Sequence, residues 1–397
     1  MSYRALARSA PVNFFVLGVF ARLPYAITPL GSLLLLQHAT GSHTFAGVAV
    51  GAQSIAGAGA GFAAGGLAAR FGARRLGMTL ATLNAVAATL LAAAGTTTSR
   101  PAMLGGAILV GLTQPHVGLL LRVHWSHTLG RGTALLRTAF SYESALDELS
   151  FVIGPAIAGV CAVVWPGAGP LLGMALLLLG STLPLASMYI GSAPERQGAR
   201  GRLPVRRMAP LFVSMAALGA IFGSLQATST AQATTNPGFL YACLGVGSAM
   251  SGIAYAWLPS SFHIEARYVV FSATLVLGMA VLLPLNAWPP LGVLIAGFFI
   301  APYMITLYAL TDALAPPDRL PIALAAVGTG APIGTAIGQA MTGVFLDGPG
   351  LDAAWLAPAG CAGVALLVAL VNRQATSNRL RRDDRARPAV NQATHDQ

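Results

Sequence analysis

Charge is what this sequence lacks. Aspartate, glutamate and arginine make up 9% of its 397 residues, and lysine does not occur. Soluble globular domains carry about a quarter charged residues. With 55% hydrophobic residues and a mean hydropathy of +0.69, the composition excludes a soluble globular chain and makes a lipid bilayer the solvent. Cysteine is scarce as well. Cys161, Cys243 and Cys361 lie in separate apolar runs, which excludes a disulfide framework or a zinc cluster and leaves helix packing as their role. No nucleotide-binding loop, metal-ligand cluster or nucleophile constellation occurs, so neither an enzyme nor a cofactor is expected. The formal charge of +11 would suit nucleic acid only if the arginines shared one soluble face. Their distribution, described next, excludes that partner.

What the sequence has is long apolar runs. Crossing about 30 Å of hydrocarbon takes roughly 20 helical residues at about 1.5 Å each. Twelve runs qualify: 11–36, 44–66, 75–95, 102–122, 138–164, 170–190, 209–231, 238–258, 268–286, 291–313, 321–345 and 353–373. They predict an all-α membrane protein. The opening MSYRALARSAPVNFFVLGVFA resembles a signal peptide, with arginines ahead of an apolar run. Arg22 interrupts that run and no small-residue cleavage site follows, so the segment reads as a retained first span. An even number of spans puts both ends on one side. The positive-inside bias makes that side the cytoplasm, because 21 of 23 arginines then fall in the ends and inner loops, Arg122, Arg131 and Arg137 among them. Arg100 falls outside and Arg22 falls within a span. The predicted location is a bacterial-type inner membrane.

The polar segment GSAPERQGARGRLPVRR, Gly191 to Arg207, divides the spans into six and six. The halves share small-residue patterns: IGPAIAG from Ile153 in the fifth span against IGTAIGQ from Ile333 in the eleventh, Gly111 in the fourth against Gly297 in the tenth, and glycine-rich runs in the second and eighth. Small residues let membrane helices approach closely, and their recurrence at matching places predicts a duplicated six-helix unit. The expected organisation is a bundle over 1–190, a cytoplasmic linker over 191–208, a second bundle over 209–373 and a basic, disordered tail over 374–397.

GGLAARFGARR, Gly65 to Arg75, resembles the loop signature between the second and third helices of the major facilitator superfamily. It supplies Gly65, Leu67, Ala68, Arg70, Gly72, Arg74 and Arg75, with Ala69 at the family's aspartate and Ala73 at an arginine. In that family the aspartate helps latch the halves on the cytoplasmic side, so this latch is expected to be weak. Gly154, Pro155 and Gly159 resemble a glycine-proline signature of exporters in the superfamily, whose earlier glycines fall here on Ser141 and Ser150. LRTAFSYESALDELSFVIGP and ARLPYAITPLG are similar to a bacterial branch of it. The resemblance implies two pseudo-symmetric six-helix bundles and a monomeric secondary transporter of a small molecule. It also implies a central cavity between helices one, four, seven and ten, lined by Tyr25, Gln114, His116, Gln226, Tyr303 and Thr306.

The chemistry concentrates in three acids of the fifth span, Glu143, Asp147 and Glu148, and in Arg22 of the first. Asp147 is about ten residues, or roughly 15 Å, into its span. Glu143 and Asp147, four apart, share a helix face, whereas Glu148 points about 100° away. A charge at the bilayer centre costs on the order of 3 kcal/mol, so several together imply pairing or a wet cavity. Arg22 with an acid of the fifth span is the expected pair. Two readings stand: a fixed ion pair that sets helix packing, or carboxylates that take up and release protons as helices move. His116 could relay a proton or bind substrate. With Arg22 counted as the main fixed cation at mid-depth, a neutral or cationic substrate fits better than a multiply anionic one. The sequence thus predicts proton-coupled efflux of a small organic compound, with import by the same fold as the nearest rival. A membrane enzyme and a transporter-like sensor stand further off.

Overall fold

The computed structural model describes residues 3–97, 99–129, 134–189, 205–232, 236–259, 261–285, 288–315 and 320–373. Residues 190–204 of the linker region, Arg131 and the basic tail lie outside these residues, and the last linker residues, 205–208, are already helical. After a short helix, Tyr3–Ala7, we number the membrane-length elements α1 to α12. In the first half these are α1 (Val12–Thr40), α2 (His43–Phe71), α3 (Ala73–Ala94), α4 (Arg100–Thr113 and Val117–Thr128), α5 (Ala134–Val164) and α6 (Gly169–Ser187). In the second they are α7 (Val205–Ala231), α8 (Pro237–Ala254), α9 (Ile264–Ala280), α10 (Pro289–Leu314), α11 (Leu320–Gly328 and Gly330–Asp347) and α12 (Leu351–Arg373). Nine helices among the described residues are long and apolar enough to cross a membrane. No strand occurs among those residues. Since each helix reverses on the last, Tyr3, the turn at Gly72 and Arg373 share one end of the bundle, the terminal face; the turns at Gly41, Gly167 and Gly350 share the opposite face.

Local chemistry sets the boundaries. Ser42, Ser99 and Asn236 accept backbone N–H groups at the starts of α2, α4 and α8. The α2–α3 turn narrows to one residue, Gly72, whose φ of 83° is open to glycine and costly for other residues. Gly72→Ala is therefore expected to cost about 1–2 kcal/mol. Gly59→Ala, at a helical site with no atom within 4 Å of the added β-carbon, should cost nothing. Thermal unfolding of the two variants compares them; equal midpoints would remove the turn's special status.

Buried residues gather into cores that respect the halves. Two apolar clusters lie within residues 6–189, and one, built around Tyr268, Tyr303 and Trp355, lies within 208–369. The duplication is visible in matched contacts. A β-carbon on Gly111 of α4 would strike the Gln53 carbonyl of α2, and one on Gly297 of α10 would strike the Leu244 carbonyl of α8. Gly154 of α5 presses on Ala26 of α1, as Gly334 of α11 presses on Ala216 of α7. The halves meet through α2 against α11 and α5 against α8. Gly51 faces Ala336, Gly245 faces Val152, and the Asn236 side-chain amide donates to the Gly159 carbonyl at 3.1 Å. All of these contacts lie toward the opposite face.

Two boundaries differ from the sequence expectation in a way that matters. Helix α4 continues past residue 122 to Thr128, and α5 begins at Ala134. Arg122 and Arg137, expected in a loop, are helical residues. Arg100 opens α4 on the opposite face, its guanidinium 5.5 Å from the Phe45 ring centroid.

Candidate functional site

Two proline breaks aim the site. Pro24 cannot donate a backbone hydrogen bond, and α1 is interrupted at Ala21–Arg22 just before it. The Ala21 carbonyl at the break accepts the Thr182 hydroxyl at 3.2 Å, from a π-helical turn, Leu178–Thr182, in α6. Pro115 holds Gln114 in an extended conformation, ψ 120°, and splits α4. The second piece of α4 carries Arg122 and Trp125 to α5.

There they meet the predicted cluster. Arg22, 3% exposed, makes an ion pair through Nη2 with Glu143, donates Nε to Asp147 Oδ1 at 2.9 Å, and donates Nη1 to the Gly18 carbonyl. Glu143 is 1% exposed, and its other oxygen accepts the Trp125 indole N–H at 2.7 Å. Asp147 offers Oδ2 to Arg122 Nη2, also at 2.9 Å. Both members of this outer pair are about one-third exposed, at 30% and 34%. The absence of a side chain at Gly118 leaves the pair its room, since a β-carbon there would lie 3.0 Å from Arg122 and 3.2 Å from both Asp147 oxygens. The result is a buried ion pair continuous with a partly exposed one.

An aromatic wall stands beside the outer pair. Tyr25 of α1, 40% exposed, packs edge-on against His116 of α4 and Phe151 of α5, with ring centroids 6.1 and 6.0 Å away. Tyr25 is within electrostatic reach of both Asp147 and Tyr308 of α10, so this wall faces the second half. The His116 ring fills the space left by Gly61 of α2.

Other predicted residues are placed elsewhere. Gln114 packs on Gly57 of α2. Gln226 accepts the Gln339 amide at 2.8 Å, within the second half. Tyr303 is fully buried, stacked on Tyr268, and Thr306 donates to the Pro302 carbonyl at 2.8 Å. Tyr303 and Thr306 belong to the core of the second half, not to the wall beside Asp147. Arg70 and Arg74 are exposed at the terminal face, Arg70 over the Phe71 ring at 5.2 Å. Gly154, Pro155 and Gly159 form the contacts of α5 with α1 and α8. The side chains of Glu148 and Ala69, and the surroundings of Gly65, lie outside the described residues.

Two features were not read from the sequence as functional. Arg122 was counted among loop arginines, although its six-residue distance from Thr128 makes it helical. Asp347, the last residue of α11, caps α2 of the other half. It accepts the Ser42 hydroxyl at 2.9 Å, the His43 N–H at 2.9 Å and the Thr44 N–H at 2.8 Å, with His43 Nδ1 at 3.0 Å.

No family model matches the sequence, and no curated protein matches it. Solved structures do. The chain is similar to the nucleoside transporter NupG (TM-score 0.70, 14% identity, covering 92% of this chain and 98% of that one). It is similar to a D-xylose–proton symporter (0.68, 12%, 90% and 96%) and to the human organic anion transporter MFSD10 (0.65, 16%, 91% and 99%). At these identities the likeness speaks for the fold. Two six-helix halves with matched internal contacts, superimposable on such proteins over nine-tenths of the chain, define the all-α major facilitator fold. This chain has that fold.

Proposed function

We propose that the chain is a proton-coupled secondary transporter that carries a small organic compound between its two halves by alternating access, as a monomer in a bacterial-type inner membrane. The fold it shares with nucleoside and sugar transporters supports transport, and one observation carries the coupling. Asp147, itself about one-third exposed, sits between the buried guanidinium of Arg22 and the one-third-exposed guanidinium of Arg122, at the accessible edge of the ion-pair cluster. A carboxylate so placed exchanges partners when neighbouring helices shift: two arginines in one arrangement, a proton in another. Glu143 does not share this exposure and holds Arg22 in place.

Export was the sequence expectation, through Gly154, Pro155 and Gly159. All three pack against α1 and α8, an account of them that does not depend on direction. The test uses proteoliposomes under an imposed pH gradient with a panel of nucleosides, sugars, aromatic acids and aromatic amines. Asp147→Asn should abolish gradient-driven accumulation while exchange without a gradient persists. Accumulation at the wild-type rate in this variant would sink the coupling role. Everted and right-side-out vesicles assign the direction.

A further inference from the structure

We infer that the first half is hinged: its terminal-face part bends against its opposite-face part at a layer where α1, α4 and α6 all break, and Thr182 is the positioning residue that holds the bend together with Arg22. The inference goes beyond the coupling reading and does not require Asp147 to carry a proton.

The apolar cores mark out the two parts. Among the described residues of the first half, one cluster lies toward the opposite face and takes in Ile27 of α1, Val110 of α4 and Met174 of α6. The other lies toward the terminal face and takes in Phe14, Leu120 and Leu185 of the same three helices. The layer between them is polar, with Arg22, Gln114, Glu143, Asp147 and Thr182. In the second half a single cluster spans the bundle, from Leu211 and Leu314 near the terminal face to Leu240 and Val293 near the opposite one. Helices α10 and α11 also break, at Phe299 and Thr329, but within that continuous core. A close-packed core moves as a unit, so the second half is stiff and the first has a seam.

Prolines place the breaks in that seam. Pro24, Pro115 and Pro184 have no N–H to give the helix ladder; α1 is interrupted at Ala21–Arg22, α4 at 114–116, and α6 widens into the π-helical turn Leu178–Thr182 just before Pro184. The three breaks adjoin. The Thr182 hydroxyl donates to the Ala21 carbonyl at 3.2 Å, and the His116 ring lies 6.1 Å from that of Tyr25. Bending at this level gives up few backbone hydrogen bonds, because the breaks have already removed them. Side chains hold it instead. Arg22 donates to the Gly18 carbonyl on the terminal side of the α1 break while its guanidinium reaches Glu143 and Asp147 of α5, which runs unbroken over Ala134–Val164. Thr182 takes the Ala21 carbonyl and, at 1% exposure, has no water to replace that contact. Hinge motion concentrates in a few element-end residues of this kind.

The test compares distances within each half, between spin labels on the full-length protein in a background without the three native cysteines. Thr128→Cys with Arg75→Cys joins the broken α4 to the unbroken α3 at the terminal face, and Ala266→Cys with Asp312→Cys joins α9 to α10 at the same face of the second half. Thr182→Val keeps the size of the side chain without its hydroxyl, and Thr182→Ser keeps the hydroxyl. In Thr182→Val the first-half pair should gain a second distance component, the bent population rising roughly fivefold, the weight of one hydrogen bond. Thr182→Ser, and the second-half pair in every variant, should match wild type. A first-half distribution unchanged in Thr182→Val, an equal change in the second half, or serine behaving as valine does would each overturn the inference. If Thr182→Val yields no folded protein, Asp147→Asn, which loosens Arg22 from α5, takes its place: a new component confined to the first half supports the hinge, and an unchanged distribution overturns it. Gradient-driven transport unaffected by Asp147→Asn would remove the coupling reading and leave the hinge standing.

Discussion

Arg22→Ala should nearly abolish recovery of folded protein, and adding Glu143→Gln should restore most of it. At 3% and 1% exposure neither partner has water to fall back on. Removing one member of a buried ion pair costs about 3–5 kcal/mol, chiefly because the other is left charged and alone. That is a large part of the roughly 5–15 kcal/mol that separates folded from unfolded domains. Glutamine keeps the shape of Glu143 and an oxygen for the Trp125 N–H while removing the stranded charge. Asp147→Asn should rescue Arg22→Ala less well, since Asp147 retains Arg122 and water when Arg22 is lost. Size-exclusion profiles and thermal midpoints of the two double variants decide the order. Rescue by Asp147→Asn with none by Glu143→Gln would make Asp147 the structural partner and undo the division of labour between the two acids.

That division shows how far the sequence could be read. Charges inside apolar runs are expensive enough to announce themselves, so Arg22 and the acids of α5 stood out and their pairing followed from depth and helix face. The duplicated architecture was legible for a similar reason: glycines at matched positions mark places where backbones touch, and Gly111 and Gly297 do touch corresponding partners. Arg122 escaped because an arginine near the end of a hydrophobic run reads as a boundary. Only the continuation of α4 to Thr128 turns it inward. Tyr303 and Thr306 were assigned to the cavity by helix number alone. Helix α10 is apolar on nearly every side, and nothing in its periodicity tells the face toward Tyr268 from the face toward the other half. Nothing in the sequence marks Asp347 as a cap, because a carboxylate at a helix end is usually solvated and its partner Thr44 is 303 residues away.

Asp347→Ala should loosen the closure of the halves on the opposite face. The side chain belongs to α11 and does for α2 what a local capping residue would do, filling the unsatisfied N–H groups of its first turn and placing a negative charge at the positive end of the helix dipole. Capping interactions of this kind are worth about 1–2 kcal/mol, so the population open on that face should rise roughly tenfold. Spin labels at Thr97→Cys and Asp352→Cys, in a background without the three native cysteines, would report it as growth of a longer-distance component. Asp347→Asn should produce the same shift in smaller measure, since an amide keeps one acceptor oxygen but not the charge. The pH dependence follows from the same contacts. Burial alone would raise the Asp347 pKa, but the hydrogen bonds from Thr44, His43 and Ser42 outweigh it and hold the carboxyl well below the usual aspartate range. A depressed folded-state pKa makes a contribution that is present above the unfolded value, about 3.9, and is lost only as pH falls through the folded one. Between pH 8 and pH 5 the Asp347 contacts should therefore keep the wild-type distance distribution constant at this face. A wild-type opening that tracks pH across that window, or an Asp347→Ala distribution indistinguishable from wild type, would show that the glycine contacts of α2 with α11 hold this face closed without Asp347.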